Sequence, residues 1–150
     1  MLRIYKSSAG SGKTYTLVKE YLRLALAPSP SERAGGEVSY KNILAITFTN
    51  KAAAEMKNRI LEALEGISKG DEEQNLLKNE LSQATGKTEG QLKQDAGLIL
   101  RNMLHNYSDI SVSTIDSFVH RIVRSFAHDL RLSMSVDIEM DSKKLLHDAV

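Results

Sequence analysis

The 150-residue sequence contains no cysteine and no long apolar run. Without cysteine there can be no disulfide, and scattered histidines argue against a structural zinc site. The four histidines are His105, His120, His128 and His147. No stretch approaches the ~18 uninterrupted apolar residues of a membrane span, and the N-terminus lacks the charged-then-apolar layout of a signal peptide. We therefore expect a cytoplasmic protein with no membrane partner.

The formal net charge is only +1, but this sum conceals a gradient along the chain. Residues 1–60 carry ten basic and four acidic side chains, whereas residues 61–110 carry five basic and nine acidic ones. A basic amino-terminal part suits a polyanion-binding face, although solvated surface lysines produce the same count. With 41% hydrophobic residues, the chain has enough apolar bulk for the core of one domain.

A glycine-rich stretch follows the first apolar run of the chain. Residues 7–14 read Ser-Ser-Ala-Gly-Ser-Gly-Lys-Thr, directly after the apolar Leu2, Ile4 and Tyr5. A strand, a glycine-rich turn and a helix form the context of a phosphate-binding P-loop, because backbone N–H groups of the turn and the helix start converge on an anion. The usual pattern has glycine in place of Ser7. The alternative interpretation is a Gly/Ser-rich turn followed by a capped helix.

Each position of a P-loop has a chemical role. Gly10 and Gly12 let the backbone curl around the phosphates, Lys13 reaches the β and γ oxygens, and the Thr14 hydroxyl holds Mg²⁺. We therefore expect Lys13 and Thr14 to be catalytic and Thr14 to be the metal ligand. The expected cofactor-binding residues are Ser8, Ala9, Gly10, Ser11, Gly12, Lys13 and Thr14.

The apolar pattern predicts alternating strands and helices. A helix is expected from residue 13 to about residue 27, ended by Pro28 and Pro30, with an exposed loop over residues 29–40. The apolar run at residues 43–48 is typical of a strand buried on both faces of a parallel sheet, and a helix follows from about Lys51. This order predicts an α/β fold with a parallel sheet covered by helices. One face of the first helix is expected to carry Leu17, Tyr21, Leu24 and Ala25, with Val18, Leu22 and Leu26 widening the stripe.

Polar residues follow the second predicted strand, where it joins the next helix. Ligands of open α/β sheets bind at the carboxyl ends of strands, so Thr49, Asn50 and Lys51 are expected at the same edge as the P-loop. With an exposed Phe48, these residues suit a sugar-phosphate backbone and a base that stacks on the ring. The alternative is that Phe48 belongs to the core and that Thr49 or Asn50 only caps the helix.

These stretches resemble motifs of a known family. Residues 43–60 are similar to motif Ia of the UvrD/Rep-type superfamily-one DNA helicases, and residues 7–14 resemble their motif I. The resemblance implies an N-terminal RecA-like domain, which is a P-loop NTPase fold, with Mg²⁺ and ATP at motif I. It also implies that Phe48, Thr49, Asn50 and Lys51 contact single-stranded DNA.

Two further helical patterns occupy an acidic segment, residues 62–109. The first, near residues 72–84, carries Leu76, Leu77 and Leu81, and the second lies near residues 89–107. The residues alone indicate packing helices with solvated glutamates. A helical excursion of this length resembles the RecB and AddA helicase-nucleases, because short UvrD-like helicases have only a brief connection here. The second pattern carries Leu92, Ala96, Ile99, Leu100, Met103 and Leu104.

Residues 110–124 resemble motif Ib of the same family. A strand is expected to end near Thr114 before a helix, and the resemblance adds Ser113 and Thr114 to the DNA contacts. Asp116 is expected to cap the helix, because a carboxylate there would repel phosphate. One side of the helix is basic and can follow a phosphate backbone, or it is an ordinary exposed face. The basic side carries His120, Arg121, Arg124 and His128, and the apolar side carries Phe118, Ile122, Val123 and Phe126.

The sequence lacks a Walker B strand, the apolar strand whose terminal acidic residues hold Mg²⁺ and activate water. Asp137 and Glu139 alternate with Val136 and Ile138, as solvent-facing residues of a half-buried strand do. We therefore expect this chain to be the N-terminal part of a longer protein. Residues 1–150 alone are expected to show negligible ATP turnover.

The resemblance implies an ATP-dependent DNA helicase that moves 3′ to 5′ in DNA repair and recombination, coupled in some relatives to a nuclease. Its partners would be single-stranded or duplex DNA, the other helicase domains of the same chain and a second helicase-nuclease subunit. The expected segments are a motif I and Ia part (1–60), the helical excursion (61–109), and a motif Ib part that begins a further subdomain (110–150). Two alternatives remain, a small P-loop kinase in which Lys51 and Arg121 clamp a phosphate, and a non-catalytic nucleic-acid-binding module.

Overall fold

The computed structural model describes residues 12–27 and 39–126, which form five helices and two short strands. Three 3₁₀ turns, Ser39–Asn42, Glu72–Gln74 and Tyr107–Asp109, connect them. The predicted strand at residues 2–5, the prolines after the first helix and the alternating segment at residues 133–140 lie outside the described residues. In chain order the elements are α1 (Lys13–Ala25), β1 (Ala45–Thr47), α2 (Asn50–Lys69), α3 (Asn75–Thr85), α4 (Glu89–His105), β2 (Val112–Thr114) and α5 (Ile115–Ser125).

The two strands are adjacent and parallel, as the βα order predicts. Ala45 is paired with Val112, Ile46 with Ser113 and Thr47 with Thr114. Helices α2, α3 and α4 make the crossover between them, because parallel neighbours cannot be joined by a tight turn. The described part is therefore a helix-rich α/β structure in which both strands end at the same edge of the sheet.

One buried apolar cluster joins the helices to the sheet. Helix α2 packs along α4, and α1 packs against both α2 and α3. Gly70 closes α2 in the left-handed region (φ 82°), where its N–H donates to Gly66 O at 2.9 Å. A capping box between Thr88 and Gln91 starts α4. The largest fully buried side chains are Tyr40, Leu22, Leu26, Ile60, Leu64, Ile67, Leu81, Leu92 and Met103.

The predicted helices are present, but several apolar residues assigned to their packing faces are exposed. Helix α1 ends at Ala25 and buries Val18, Tyr21 and Leu22, because α2 and α3 pack on that side. The buried face of α1 is therefore rotated by about one residue position from the face that the apolar spacing predicts. The residues assigned to packing faces that are exposed are Leu17 and Leu24 on α1, Leu76 on α3, Leu104 on α4, and Ile122 and Phe126 at the last helix.

Two expectations around β1 were wrong. Tyr40, predicted to be in an exposed loop, is fully buried in a 3₁₀ turn and belongs to the core cluster. The strand predicted at residues 43–48 has three residues and is not buried on both faces, since Ile46 is 44% exposed. Successive side chains of a strand point to opposite faces, and the described helices cover only one of them. None of the described helices is long and apolar enough to cross a membrane.

Candidate nucleic-acid interface and nucleotide site

Both strands end beside each other, and each runs directly into a helix. Thr47, the last residue of β1, is in register with Thr114, the last residue of β2. Residues 48–51, which follow β1, and Ser113 and Thr114, which end β2, therefore share one edge of the sheet. We call this surface, formed by residues 48–51 and 113–117, the carboxyl edge. Parallel sheets bind ligands at this edge, and α2 and α5 both begin there.

Thr49 is the N-cap of α2. Its backbone is extended (φ −130°, ψ 150°), and its Oγ1 accepts a hydrogen bond from the Ala52 N–H at 3.1 Å. The Ala53 N–H donates to Thr49 O at 3.0 Å and begins the ladder of α2. The part of the alternative in which Thr49 or Asn50 caps the helix is therefore confirmed, for Thr49. Asn50 and Lys51 are exposed in the first turn.

Phe48 is 90% exposed, more than any other large apolar side chain in the described residues. It stands between the end of β1 and the N-cap of α2. The alternative that Phe48 is part of the core was therefore wrong. A ring with this exposure at the carboxyl edge contributes almost nothing to the folded core, and both of its faces are open to a planar partner.

The end of β2 is more enclosed than the end of β1. Thr114 is 6% exposed, and its Oγ1 accepts from the Ser117 N–H at 3.2 Å and lies 2.8 Å from Ser117 Oγ. Thr114 is thus the N-cap of α5, and the expectation that Asp116 caps this helix was wrong. Asp116 lies in the first turn, where a carboxylate is favoured by the helix dipole. Ser113 Oγ is buried with no hydrogen-bond partner among the described residues.

Helix α5 presents basic side chains next to the carboxyl edge. None of its residues is buried within the described structure. The Arg121 guanidinium lies 5.9 Å from the centre of the Phe118 ring, a cation–π distance. Ile122 and Phe126, from the predicted apolar side, are 41% and 54% exposed. One surface depression is lined by Asp116, Ser117, His120, Arg121, Arg124 and Ser125.

Basic side chains at the candidate sites differ from most others in their pairing. Among the described residues, no carboxylate forms an ion pair with Lys13, Lys51, Arg121 or Arg124. Most of the other described basic side chains are paired with a carboxylate, so these four are available to an anionic ligand. The paired ones are Lys19, Arg23, Lys41, Arg59, Lys69, Lys78 and Lys87.

The predicted nucleotide site is described from Gly12 onward, and Ser8, Ala9, Gly10 and Ser11 lie outside the described residues. Gly12 is the N-cap of α1 in the left-handed region (φ 76°), a conformation that favours glycine. It provides no side-chain cap, so the first turn of α1 keeps its amide groups for another acceptor. Lys13 is exposed and Thr14 is half-buried in that turn. Among the described residues no cluster of three His, Asp or Glu side chains could hold a metal ion.

Sequence reasoning missed Thr47, whose side chain contacts residues of the carboxyl edge. Its Oγ1 donates to Thr49 O at 3.1 Å and lies 3.5 Å from Ser113 O. This hydroxyl therefore joins the end of β1 to the neighbouring strand and to the cap of α2. A threonine inside an otherwise apolar run was the available signal, but the run itself predicted only a buried strand.

The sequence is similar to known proteins over most of its length. A family model of the UvrD/REP helicase N-terminal domain matches residues 4–150. An ATP-dependent helicase/nuclease subunit of Bacillus pumilus is 32% identical over 126 residues, which cover 84% of this chain and 8% of that protein. The subunit of the same name from Geobacillus thermodenitrificans is 33% identical over 132 residues, covering 88% of this chain and 8% of the relative.

A third relative is a RecB subunit. The RecBCD enzyme subunit RecB of Buchnera aphidicola is 28% identical over 130 residues, covering 82% of this chain and 10% of that protein. The chain thus spans about a tenth of the length of these relatives. Because the family model covers nearly the whole sequence, the chain belongs to the UvrD/REP helicase N-terminal domain family.

Proposed function

We propose that this chain is the ATP-binding and single-stranded-DNA-binding N-terminal part of an ATP-dependent DNA helicase that moves 3′ to 5′ in DNA repair and recombination. It would form an incomplete first RecA-like P-loop domain, with residues 61–109 as an inserted helical segment between motifs Ia and Ib. The observation that carries the proposal is the carboxyl edge, where β1 and β2 bring Phe48, Thr49 and Thr114 together.

The carboxyl edge has the chemistry of a single-stranded-DNA site. Phe48 offers an exposed ring on which a base can stack. Helices α2 and α5 both begin at this edge, and backbone N–H groups at a helix start bind phosphate oxygens. Lys51 adds a positive charge, and Asn50 adds an amide donor.

Two of the proposed contacts are limited by the packing around them. The side-chain oxygen of Thr114 is committed to the cap of α5, and Ser113 Oγ is buried. We therefore propose that Ser113 and Thr114 act through their backbone groups. The side chain of Thr49 is less restricted. Its Oγ1 caps α2 as an acceptor, but its hydroxyl proton remains available for a phosphate oxygen.

The start of α1 has the donor set that a nucleotide phosphate needs. The uncapped first turn, the exposed Lys13 and the half-buried Thr14 hydroxyl fit the phosphates and Mg²⁺ of ATP. When bound, Mg²⁺ would neutralise charge that develops on the transferred phosphate. In this proposal Lys13 binds the β and γ oxygens, Thr14 holds the metal, and residues 8–12 supply backbone donors.

The remaining requirements of hydrolysis are assigned to other parts of the native protein. The Walker B acids, the arginine that stabilises the transition state and the second wall of the ATP site would come from parts of the protein other than residues 1–150. A second helicase-nuclease subunit would be a partner, since relatives are named as subunits. No observation in the described residues favours a small P-loop kinase or a non-catalytic binding module.

The stacking role of Phe48 is tested by a matched pair of alanine variants. Phe48→Ala removes the proposed platform, and Leu76→Ala removes another exposed apolar side chain, on α3. We expect Phe48→Ala to weaken single-stranded-DNA binding by about 1–3 kcal/mol, which is roughly 5- to 150-fold, and Leu76→Ala to have no effect. Fluorescence anisotropy with a labelled oligothymidylate at fixed salt measures both. Equal affinities for the two variants would rule out DNA binding through Phe48.

A further inference from the structure

One carboxylate on α3 bridges two side chains of α1. The Tyr15 hydroxyl donates a hydrogen bond to Glu80 Oε2 at 2.8 Å, and Lys19 Nζ donates to Glu80 Oε1 at 3.3 Å. Tyr15 and Lys19 are four residues apart and therefore lie on the same side of α1. Lys19 Nζ is also 6.0 Å from the centre of the Tyr15 ring. We call this cluster of Tyr15, Lys19 and Glu80 the Glu80 bridge.

The α3 end of the bridge is held in place by the core. Leu77 and Leu81, on either side of Glu80 in the sequence, are 4% and 0% exposed. Helix α3 also packs against α1 and α4. The side chains of Glu80 and Lys19 are only 35% and 28% exposed, so solvent screens this pair less than a fully exposed one. The position of Glu80 is therefore fixed by the core, and its carboxylate orients α1 through Tyr15 and Lys19.

The α1 end of the bridge lies in the turn that carries the proposed nucleotide ligands. Tyr15 follows Lys13 and Thr14 directly, and all three belong to the first turn of α1. The N-cap, Gly12, contributes no side-chain hydrogen bond to this turn. A helix end without a cap frays, so its geometry depends on contacts from elsewhere. The hydrogen bond from Tyr15 to Glu80 is such a contact.

We propose that Glu80 is a positioning residue for nucleotide binding, because it holds the first turn of α1 in the orientation that Lys13 and Thr14 need. This inference rests on the proposed function, since it presumes that ATP binds at the start of α1. It gives the acidic segment between motifs Ia and Ib a role in the nucleotide site, although that segment contains none of the motif residues.

The protonation of Tyr15 is consistent with this role. Partial burial, with the Glu80 hydrogen bond and charge as further causes, raises the pKa of Tyr15 to about 12. The hydroxyl therefore remains a hydrogen-bond donor to Glu80 throughout the neutral range.

The test compares variants of the native protein by three measurements: the Mg-ATP dissociation constant, the single-stranded-DNA dissociation constant and the thermal midpoint without ligands. Glu80→Ala removes both contacts, Tyr15→Phe removes only the hydroxyl, and Glu80→Gln keeps an acceptor for Tyr15. Glu65→Ala is the matched control, because it breaks an exposed ion pair with Lys69 inside α2.

We expect Glu80→Ala to weaken Mg-ATP binding roughly 5- to 10-fold, with Tyr15→Phe and Glu80→Gln between it and the wild type. DNA affinity should stay within about twofold of the wild type, and Glu65→Ala should bind Mg-ATP normally. Unchanged Mg-ATP affinity in Glu80→Ala and Tyr15→Phe would overturn the inference. A parallel loss of both affinities with a lower thermal midpoint would also overturn it, by showing a merely structural role. A wild-type protein that binds no Mg-ATP would instead overturn the proposed function.

Discussion

Tyr21 and Tyr40 are aromatic residues buried with their hydroxyl groups inside the core. They are 3% and 0% exposed, and neither hydroxyl has a hydrogen-bond partner among the described residues. Burial is the main reason that the pKa of Tyr21 rises to about 12, and the proximity of Tyr40 adds to it. The ring stabilises the core through apolar contact, whereas ionisation of the buried hydroxyl would be unfavourable.

The raised pKa of Tyr21 predicts a loss of stability at alkaline pH. An unfolded tyrosine titrates near pH 10, whereas the folded residue titrates near pH 12. The stabilisation is therefore complete below about pH 10 and is lost as the pH rises from 10 to 12. A difference of two units corresponds to about 2–3 kcal/mol, so Tyr21→Phe should unfold with a flatter pH profile than the wild type in this window.

Urea unfolding of both proteins at several pH values from 8 to 12 measures this difference. Tyr107→Phe is the control, because it removes the hydroxyl of an exposed tyrosine in the turn before β2. Parallel profiles for Tyr21→Phe and the wild type would show that Tyr21 does not titrate in the folded core.

At the scale of elements, the strand-to-helix junctions determine the geometry of the candidate site. A threonine is the N-cap of each helix at this edge. Thr49 precedes α2, and Thr114 ends β2 and precedes α5. Each accepts a hydrogen bond from an amide three residues later, at 3.1 and 3.2 Å. The two helices therefore start at defined residues, which places Phe48 and the first turns of α2 and α5 at the carboxyl edge.

Replacing the N-cap residue of α2 should lower the stability of the folded protein, because one hydrogen bond is lost. Thr49→Ala leaves the Ala52 amide without its side-chain acceptor and should reduce the free energy of unfolding by about 1 kcal/mol. Thr49→Ser keeps the acceptor and should stay within a few tenths of a kcal/mol of the wild type. Chemical denaturation of the three proteins measures the change, and equal losses for Ala and Ser would show that the hydroxyl does not cap α2.

The helices and the shared edge were predictable because local rules determine them. Apolar spacing located all five described helices to within a few residues, and the βα order predicted parallel strands that end together. Which apolar residue is buried was less predictable. Leu76 and Leu104 fit the helical period but are exposed, since burial depends on where neighbouring helices pack.

Long-range contacts between side chains were beyond the sequence pattern. Tyr15 and Glu80 are 65 residues apart, and no periodicity or motif relates them. Tyr40 had loop-like neighbours, with Gly35 and Gly36 shortly before it, yet it fills the core beside Tyr21. The identity of the cap of α5 was also missed, because aspartate and threonine are both good N-caps and only the register of β2 decides between them.

At the scale of the whole molecule, the acidic segment and the motif segments share one core. Residues of α1, α2, α3, α4 and β2 belong to a single buried cluster. The division into segments 1–60, 61–109 and 110–150 therefore describes the order of motifs along the chain and stays a prediction as a domain division. The proposed nucleotide site on α1 and the carboxyl edge at β1, α2 and β2 are therefore attached to the same core.

The central claim is that Lys13 binds ATP in a protein whose carboxyl edge binds single-stranded DNA. The most direct test is the rate of ATP hydrolysis by the native protein with and without single-stranded DNA. We expect hydrolysis that DNA stimulates, reduced about 10²-fold or more by Lys13→Ala and unchanged by Lys93→Ala, which alters an exposed lysine on α4. DNA-stimulated hydrolysis that survives in Lys13→Ala, or hydrolysis in the wild type that DNA does not affect, would contradict it.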